Sequence, residues 1–322
     1  MISRVAMSHV WDGPVIELKN LCRSFGATRA VDHVSFTVPR GSVFGYIGPN
    51  GAGKTTSMRI LATLELPTSG EAYVEGLSSI NDPDRVRGRL GVMPDSFGTY
   101  SDTNCVEYLE FFARSHGLIG RQRTRRLRWV MEVTGLKGLA SKPIRGLSKG
   151  MRQRLCLGRA LIHDPAVLIL DEPAAGLDPR ARIELRKIIR ALAADNKTIL
   201  ISSHILTELA EMCDRVGIIE QGSLLATGTV DEIRKQIKST RHVLVRIAGD
   251  DGDAKRILES IDGVDELQVV DGQLRFAING GDQQQIDVLR ALVHGGLDVL
   301  EYSSPDESLE DVFLQITQGR VQ

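Results

Sequence analysis

The residues best suited to chemistry form one glycine-rich stretch, Gly48-Pro49-Asn50-Gly51-Ala52-Gly53-Lys54-Thr55. An apolar run over residues 42–47 precedes it and is typical of a buried strand, and good helix formers follow it with no breaker before Pro67. Glycines let backbone N–H groups close around phosphate oxygens, and a helix start adds positive potential. The order strand, glycine loop, helix therefore predicts a phosphate-binding site.

The residues at the end of this loop indicate which phosphates are bound. It fits the P-loop pattern, in which Lys54 places a charge on the β- and γ-phosphates and the Thr55 hydroxyl ligates Mg²⁺; Thr56 belongs to the same predicted nucleotide site. The alternative is an ordinary glycine turn with a surface lysine. The strand before the loop and the helix after it favour the P-loop.

Two carboxylates end a second apolar run, residues 167–170. Asp171 is predicted to support Mg²⁺ and Glu172 to orient and polarise the attacking water, because phosphoryl transfer needs an aligned nucleophile more than covalent chemistry. Alone, an acidic strand end is more often a helix cap than catalytic. Downstream of a P-loop, it fits a Walker B segment.

An α/β core is needed to position these motifs. The apolar runs 166–170 and 198–202 flank an amphipathic helix over 180–193, which predicts a parallel sheet covered on both faces. Residues 15–38 alternate as antiparallel strands do, and the section 95–159 has helical spacing.

The charge and hydropathy of the chain indicate which classes of partner are expected. The chain has 322 residues, a formal net charge of −1 and no basic excess, so no nucleic acid is expected. For the arginine-rich run 121–128, a solvated helix face is favoured over a nucleic-acid or lipid patch. No apolar run approaches the ~18 residues of a spanning helix, and residues 1–13 lack the features of a secretory signal, so a cytoplasmic location is expected.

The cysteines are far apart in the sequence: Cys22, Cys105, Cys156 and Cys213. They form no CxxC pair and have no histidine at the usual zinc-site spacing. We expect reduced thiols that pack as small hydrophobic groups; a nucleophile or a redox switch is the alternative.

The composition shifts near residues 238–240, which predicts an ATPase domain over 15–238 and an accessory domain over 240–322. The accessory domain is predicted to be α+β and ferredoxin-like, in the order β-α-β-β-α-β with a final helix over 308–316. The predicted elements are 242–247, 253–260, 267–270, 274–278, 283–293 and 299–302.

Between the P-loop and the Walker B segment lies Leu147-Ser148-Lys149-Gly150-Met151-Arg152-Gln153-Arg154, just before a predicted helix over 152–162. This stretch resembles the signature motif of ABC ATPases. The resemblance implies that Ser148 and the Gly150 amide contact the γ-phosphate of ATP held by a second copy, so that the chain works as a homodimer. The alternative is a serine N-cap on an ordinary helix.

Other ABC elements follow in order over about 15–230. The resemblance implies an antiparallel β and a helical subdomain on the P-loop core. Phe25 resembles the aromatic residue that stacks on adenine, with a core phenylalanine as the alternative. Residues 174–178 resemble the D-loop at the dimer interface. His204 resembles the histidine that senses the γ-phosphate.

The chain departs from the family pattern in three places. Asp95 stands where the family usually has a glutamine that touches Mg²⁺, and a carboxylate can also ligate Mg²⁺. Lys149 and Met151 replace the commoner glycine and glutamine of the signature. Because Ser148 and Gly150 are present, we expect the signature to function.

The resemblance implies the ATP-hydrolysing subunit of an ABC transporter, peripheral on the inner face of the membrane through a separate permease. The signature form and the C-terminal stretch 308–313 resemble bacterial drug-resistance exporters. The alternatives are a soluble ABC ATPase of translation or DNA repair, and a P-loop kinase. A single P-loop without sustained heptads disfavours the first, and the signature with Asp171 and Glu172 disfavours the second.

Overall fold

The structure is a computed structural model that describes residues 11–96, 98, 102–205, 209, 211–229, 231–233, 241–249, 251–270, 272–278 and 280–304. The described residues divide into two compact units, 11–229 and 231–304. The predicted boundary at 238–240 lies outside the described residues and stays a prediction.

In chain order, the described elements of the first unit are β1 (Ile16–Phe25), β2 (Thr28–Val38), β3 (Val43–Ile47), α1 (Lys54–Leu61), β4 (Ser69–Val74), β5 (Leu77–Ser78), α2 (Pro83–Arg87), β6 (Leu90–Met93), α3 (Cys105–Ser115), α4 (Gly120–Val133), α5 (Lys149–Leu161), β7 (Val167–Leu170), α6 (Pro179–Ala194), β8 (Thr198–Ser203), β9 (Arg215–Glu220) and β10 (Ser223–Gly228).

The central sheet has the order β10-β9-β3-β8-β7-β6, and its strands are parallel except for β10. Every residue of β3, β7 and β8 is buried. Strands that are buried on both faces need apolar side chains on both, which explains their continuous apolar sequences. The predicted parallel α/β core is confirmed.

A second, antiparallel sheet has the order β2-β1-β4-β5. It packs on the central sheet through aromatic residues: the Phe36 ring of β2 stacks on the Phe44 ring of β3, with centroids 4.8 Å apart. The antiparallel strands predicted over 15–38 are therefore present, and they share a core with the glycine loop.

The helical section consists of α3, α4 and α5. Asn104 begins α3 with a capping box: its side chain accepts from the Glu107 amide, and the Glu107 carboxylate accepts from the Asn104 amide. Ser148 caps α5, which therefore begins at Lys149, three residues before the predicted start at 152. The predicted helical character of this section is confirmed.

The arginine-rich run lies on α4, and its members differ in role. Arg126 donates to the carbonyl oxygens of Leu161 and Ile162 and stacks on the Trp129 ring, 4.0 Å from the centroid. Arg121, Arg125 and Arg128 are exposed. One arginine of the run is thus part of the packing between α4 and the end of α5.

The second unit contains β11 (Arg241–Ile247), α7 (Asp251–Glu259), β12 (Val264–Val270), β13 (Gln273–Ile278), α8 (Asp282–His294) and β14 (Val299–Ser303). Its antiparallel sheet has the order β12-β13-β11-β14. The elements follow the predicted order β-α-β-β-α-β, and the predicted helix over 308–316 lies outside the described residues. Among the described helices, none is long and apolar enough to span a membrane.

Candidate functional site

The glycine loop joins the end of β3 to the start of α1, in the predicted order. Gly51 and Gly53 have φ of 82° and 101°, in the left-handed region that favours glycine. At Gly48, a Cβ atom would lie 2.2 Å from the carbonyl oxygen of Ile219, and at Gly53 2.2 Å from that of Ala30. The glycines therefore let the loop close tightly against its neighbours.

Lys54 is the cation of the site and is only 5% exposed. Its Nζ donates to the carbonyl oxygens of Gly48 (2.6 Å) and Pro49 (3.1 Å). The same Nζ lies 3.4 Å from Glu172 Oε1. Burial lowers the pKa of Lys54, and the charges of Glu172 and Asp171 oppose that shift.

Asp171 follows β7 and is held by two hydroxyl groups. Thr55 Oγ1 donates to Asp171 Oδ2 at 2.8 Å, and Ser202 Oγ donates to Asp171 Oδ1 at 2.6 Å. Asp171 is 7% exposed, so its orientation is fixed by these bonds. A buried carboxylate beside a hydroxyl group is an oxygen donor set that suits Mg²⁺.

Glu172 is aimed by an unusual backbone conformation. Its φ is 48°, and its amide donates to Ser202 Oγ at 2.9 Å. A non-glycine residue in this region costs about 1–3 kcal/mol, and such residues cluster at functional sites. The strained backbone places the carboxylate between two cationic or donor groups, Lys54 on one side and His204 on the other.

His204 directly follows β8, and its Nδ1 lies 2.8 Å from Glu172 Oε2. A carboxylate only accepts hydrogen bonds, so an Nδ1–H donates here. The imidazole is thereby oriented by Glu172, and the other ring nitrogen stays available to a ligand. The structure brings together Lys54, Thr55, Asp171, Glu172 and His204, all predicted from sequence.

The predicted signature residues lie at the start of α5. Ser148 Oγ accepts from the Met151 amide at 3.3 Å, as expected of an N-cap. A Cβ atom on Gly150 would lie 2.9 Å from Cβ of Ala181 in α6. The contacts described for Ser148 and Gly150 are thus with their own helix, with α6 and with Leu177 just before α6, whereas the end of the glycine loop contacts the Walker B pair.

Phe25 ends β1 and is 47% exposed, so it is not the core phenylalanine of the alternative interpretation. The guanidinium of Arg23 lies 4.4 Å from its ring centroid. The exposed part of the ring is available for a flat base, and adenine stacking on Phe25 stays a prediction.

Asp95 follows β6 and is exposed. With Thr55, Asp171 and Ser96 it lines a pocket of about 260 Å³. The pocket also contacts α1, and the backbone of β6 is tied to the site because the Asp171 amide donates to the Met93 carbonyl at 2.8 Å. Asp95 therefore faces the same pocket as the predicted Mg²⁺ ligands.

Sequence reasoning assigned no role to Ser202, although it bridges Asp171 and the Glu172 amide. The sheet register carries the missing signal: Leu170 of β7 pairs with Ile201 of β8. The next residue along each strand is Asp171 and Ser202. Aligning the predicted strands β7 and β8 at their carboxyl ends would have placed Asp171 beside Ser202.

Comparison with known proteins agrees with this geometry. A family model described as ABC transporter matches residues 31–175, and a model of the ATP-binding protein DrrA1-3-like C-terminal domain matches residues 228–317. The bacitracin transport ATP-binding protein BcrA of Bacillus licheniformis is 35% identical over 95% of this chain and 98% of its own length. The chain belongs to the ABC transporter ATP-binding family. The predicted family is therefore confirmed.

Other members of the ABC family are also similar. The daunorubicin resistance ATP-binding protein DrrA3 of Streptomyces coeruleorubidus is 34% identical over 92% of this chain and 93% of that protein. YbhF of Escherichia coli, a probable multidrug ABC transporter ATP-binding protein, is 40% identical over 69% of this chain, which spans 38% of YbhF. A solved ATP-binding subunit of an ABC transporter is 32% identical with a TM-score of 0.63, covering 69% of this chain and 92% of its own.

Proposed function

We propose that this chain binds and hydrolyses ATP and thereby drives a separate transmembrane permease. The observation that carries the proposal is the cluster around Glu172, whose φ is 48° and whose carboxylate lies beside Lys54 and His204. Binding alone would not require a strained, oriented glutamate. Phosphoryl transfer does, because its catalysis consists of positioning and electrostatic stabilisation.

Each residue has a distinct task in this mechanism. The loop amides and Lys54 hold the β- and γ-phosphates, and Glu172 accepts a hydrogen bond from the attacking water and aligns it with the γ-phosphorus. Glu172 orients the His204 imidazole through Nδ1–H, and the other ring nitrogen donates to the γ-phosphate when the ring is doubly protonated. Thr55 and Asp171 would hold Mg²⁺, with Asp95 facing the same pocket. When bound, Mg²⁺ neutralises charge on the phosphates.

A second copy completes the site. Ser148 is exposed at the start of α5, so we propose that it and the helix N-terminus behind it contact the γ-phosphate of ATP on a second copy. Residues 174–178 then lie at the shared interface. The homodimer closes on two ATP molecules and reopens after hydrolysis, and this motion is passed to the permease.

We further propose export, at the inner face of the membrane. Relatives similar over nearly their whole length are described as bacitracin transport and daunorubicin resistance ATP-binding proteins. The alternative of a soluble ABC ATPase in translation or DNA repair is not favoured by these relatives.

The test is affinity purification of the Glu172→Gln variant from native membranes with Mg-ATP, followed by mass spectrometry. This variant keeps the shape of the side chain but cannot accept from water as a carboxylate does, so it is expected to hold the closed complex. We expect a polytopic membrane protein to co-purify, and the Lys54→Ala variant serves as control because it loses the phosphate contact. Ribosomal or DNA-repair proteins in place of a membrane protein would contradict the proposal.

A further inference from the structure

A β-bulge in the antiparallel sheet gathers three side chains that can each bind a metal ion. The β1–β2 register shifts between Leu21 and Arg23, so that Cys22 of β1 faces both Asp32 and His33 of β2. Neighbouring residues of a regular strand point to opposite faces, whereas a bulge re-aims one of them. His33 has φ of 50°, and ligand atoms of the three residues lie within 4.8 Å of one another.

The contacts inside this cluster already join the three residues. The His33 amide donates to Cys22 Sγ at 3.2 Å, and Sγ itself donates to the Asn20 carbonyl at 3.6 Å. His33 Nδ1 lies 2.6 Å from Asp32 Oδ1. Arg29 also donates to that oxygen, at 3.0 Å.

Burial varies across the cluster in a way that suits ion entry. Cys22 is 5% exposed, whereas the His33 side chain is 65% exposed and that of Asp32 31%. An incoming cation would therefore meet the imidazole and the carboxylate first and reach the sulfur behind them.

We propose that Cys22, Asp32 and His33 bind a divalent cation of borderline softness, of which Zn²⁺ fits best. Thiolate, imidazole and carboxylate are the usual zinc donors, and a thiolate disfavours Mg²⁺ and Ca²⁺. Three protein ligands leave a fourth position for water. On binding, a Zn–S bond forms and the Cys22 thiol proton passes to solvent. Asp32 Oδ1 gives up its bonds to Arg29 and His33 for the ion, His33 binds as a neutral imidazole, and no redox step is involved.

The site lies next to the nucleotide elements. The Asp32 amide donates to the Gly222 carbonyl at 2.8 Å, and the Ala30 carbonyl lies against Gly53 of the loop. Phe25 lies on the same strand as Cys22. A bound cation would clamp the hairpin that carries these groups.

The proposal revises one expectation from the sequence. Cys22 and His33 are not at a usual zinc-site spacing, so the sequence alone gave no reason to pair them. The bulge does so, because it adds a residue on β2 opposite Cys22. Cys105, Cys156 and Cys213 are buried free thiols, as expected.

Cobalt(II) titration of the full chain tests the site, because a thiolate bound to Co²⁺ gives a charge-transfer absorption that oxygen and nitrogen ligands do not. The chain is purified without a polyhistidine tag, stripped with a chelator and titrated with Co²⁺ alone, then with Zn²⁺ as competitor. The variants are Cys22→Ser and His33→Ala, and the second changes a side chain that is largely exposed.

We expect one Co²⁺ per chain with the thiolate band, displaced by Zn²⁺. Both variants should bind Co²⁺ at least ~10-fold more weakly. That is the lower end of the loss seen when a group that only supports a metal ligand is removed. Cys156→Ala and His294→Ala are matched controls and should keep the band. A wild-type chain without the band, or a Cys22→Ser variant that keeps it, would overturn the proposal.

Discussion

At the scale of single residues, the site depends on one hydroxyl group whose contacts the sequence patterns did not predict. Ser202 is fully buried and donates to Asp171 Oδ1 while accepting from the Glu172 amide. It therefore fixes the predicted metal ligand and the predicted water-orienting carboxylate at the same time. Removing the hydroxyl leaves two buried polar groups with one partner fewer.

Ser202→Ala should accordingly impair both folding and catalysis. Loss of a partner for a buried polar group costs about 1–3 kcal/mol, so we expect a drop of that size in the free energy of unfolding and a fall of about tenfold or more in ATP turnover. Urea unfolding and steady-state hydrolysis measure the two. Ser203→Ala, at a neighbour that is also buried, is the control. Equal effects of the two substitutions on turnover would contradict this role.

Asp95 is the residue whose role the family pattern leaves open. It shares a pocket with Thr55 and Asp171, so we predict that it contributes to Mg²⁺ binding. Asp95→Ala should lower the apparent Mg²⁺ affinity about tenfold, as removal of a supporting ligand does, while leaving ATP-loop contacts in place. Mg²⁺ titration of ATP turnover measures it, with Ser96→Ala of the same pocket as control. Unchanged Mg²⁺ affinity and turnover would contradict the prediction.

Residue patterns predicted much of this site because the loop and strand ends are local in sequence. Lys54, Asp171 and Glu172 each lie at a strand or helix end that hydropathy can locate. The positive φ of Glu172 and the bridging by Ser202 could not be predicted in this way, since both depend on how β7 and β8 are registered in the sheet.

At the scale of elements, two histidines connect the helical section to the central sheet. The rings of His116, after α3, and His163, after α5, stack with centroids 4.0 Å apart. His163 Nε2 lies 2.9 Å from the Leu90 carbonyl of β6. Burial lowers the pKa of His163 to about 4, with His116 adding to the shift. Burial also lowers the pKa of His116.

These shifts predict that the first unit loses stability in acid. A histidine whose pKa is lower in the folded state binds protons more readily when unfolded, so its contribution is present above the unfolded pKa of about 6.5 and is lost as pH falls toward 4. Allowing for the solvent-facing part of the ring, we expect about 2 kcal/mol from His163 across this window.

Urea unfolding at pH 7, 6 and 5 measures this effect, followed by the fluorescence of Trp11 and Trp129, which both lie in the first unit. His163→Gln should flatten the dependence and keep a donor for the Leu90 carbonyl. His294→Gln, at an exposed position, should leave the dependence unchanged. Parallel curves for wild type and His163→Gln would contradict the assignment.

Elements were predicted best where burial is complete on both faces. β3, β7 and β8 are continuous apolar runs and were located to within a residue or two. The bulge opposite Cys22 could not be predicted, because nothing in an alternating pattern indicates which strand gains a residue.

At the scale of the whole molecule, the sequence predicted two parts, and the structure has two compact units. The second unit has its own core, formed around Val243, Val245 and Phe276. Its role could not be predicted, since no residue pattern in it carries known chemistry. The homodimer also stays a prediction. It is inferred from the exposed start of α5, because contacts within one chain cannot show how a second copy binds.

The most direct test of the shared ATP site is the mass of the Glu172→Gln variant in solution, measured by light scattering with and without Mg-ATP. If Ser148 and Gly150 complete the ATP site of a second copy, Mg-ATP should shift this variant to twice the mass of one chain. Adding Lys54→Ala or Ser148→Glu should abolish the shift, the latter by placing a negative charge against the γ-phosphate. A mass that does not depend on Mg-ATP, or a shift that survives Lys54→Ala, would contradict the account.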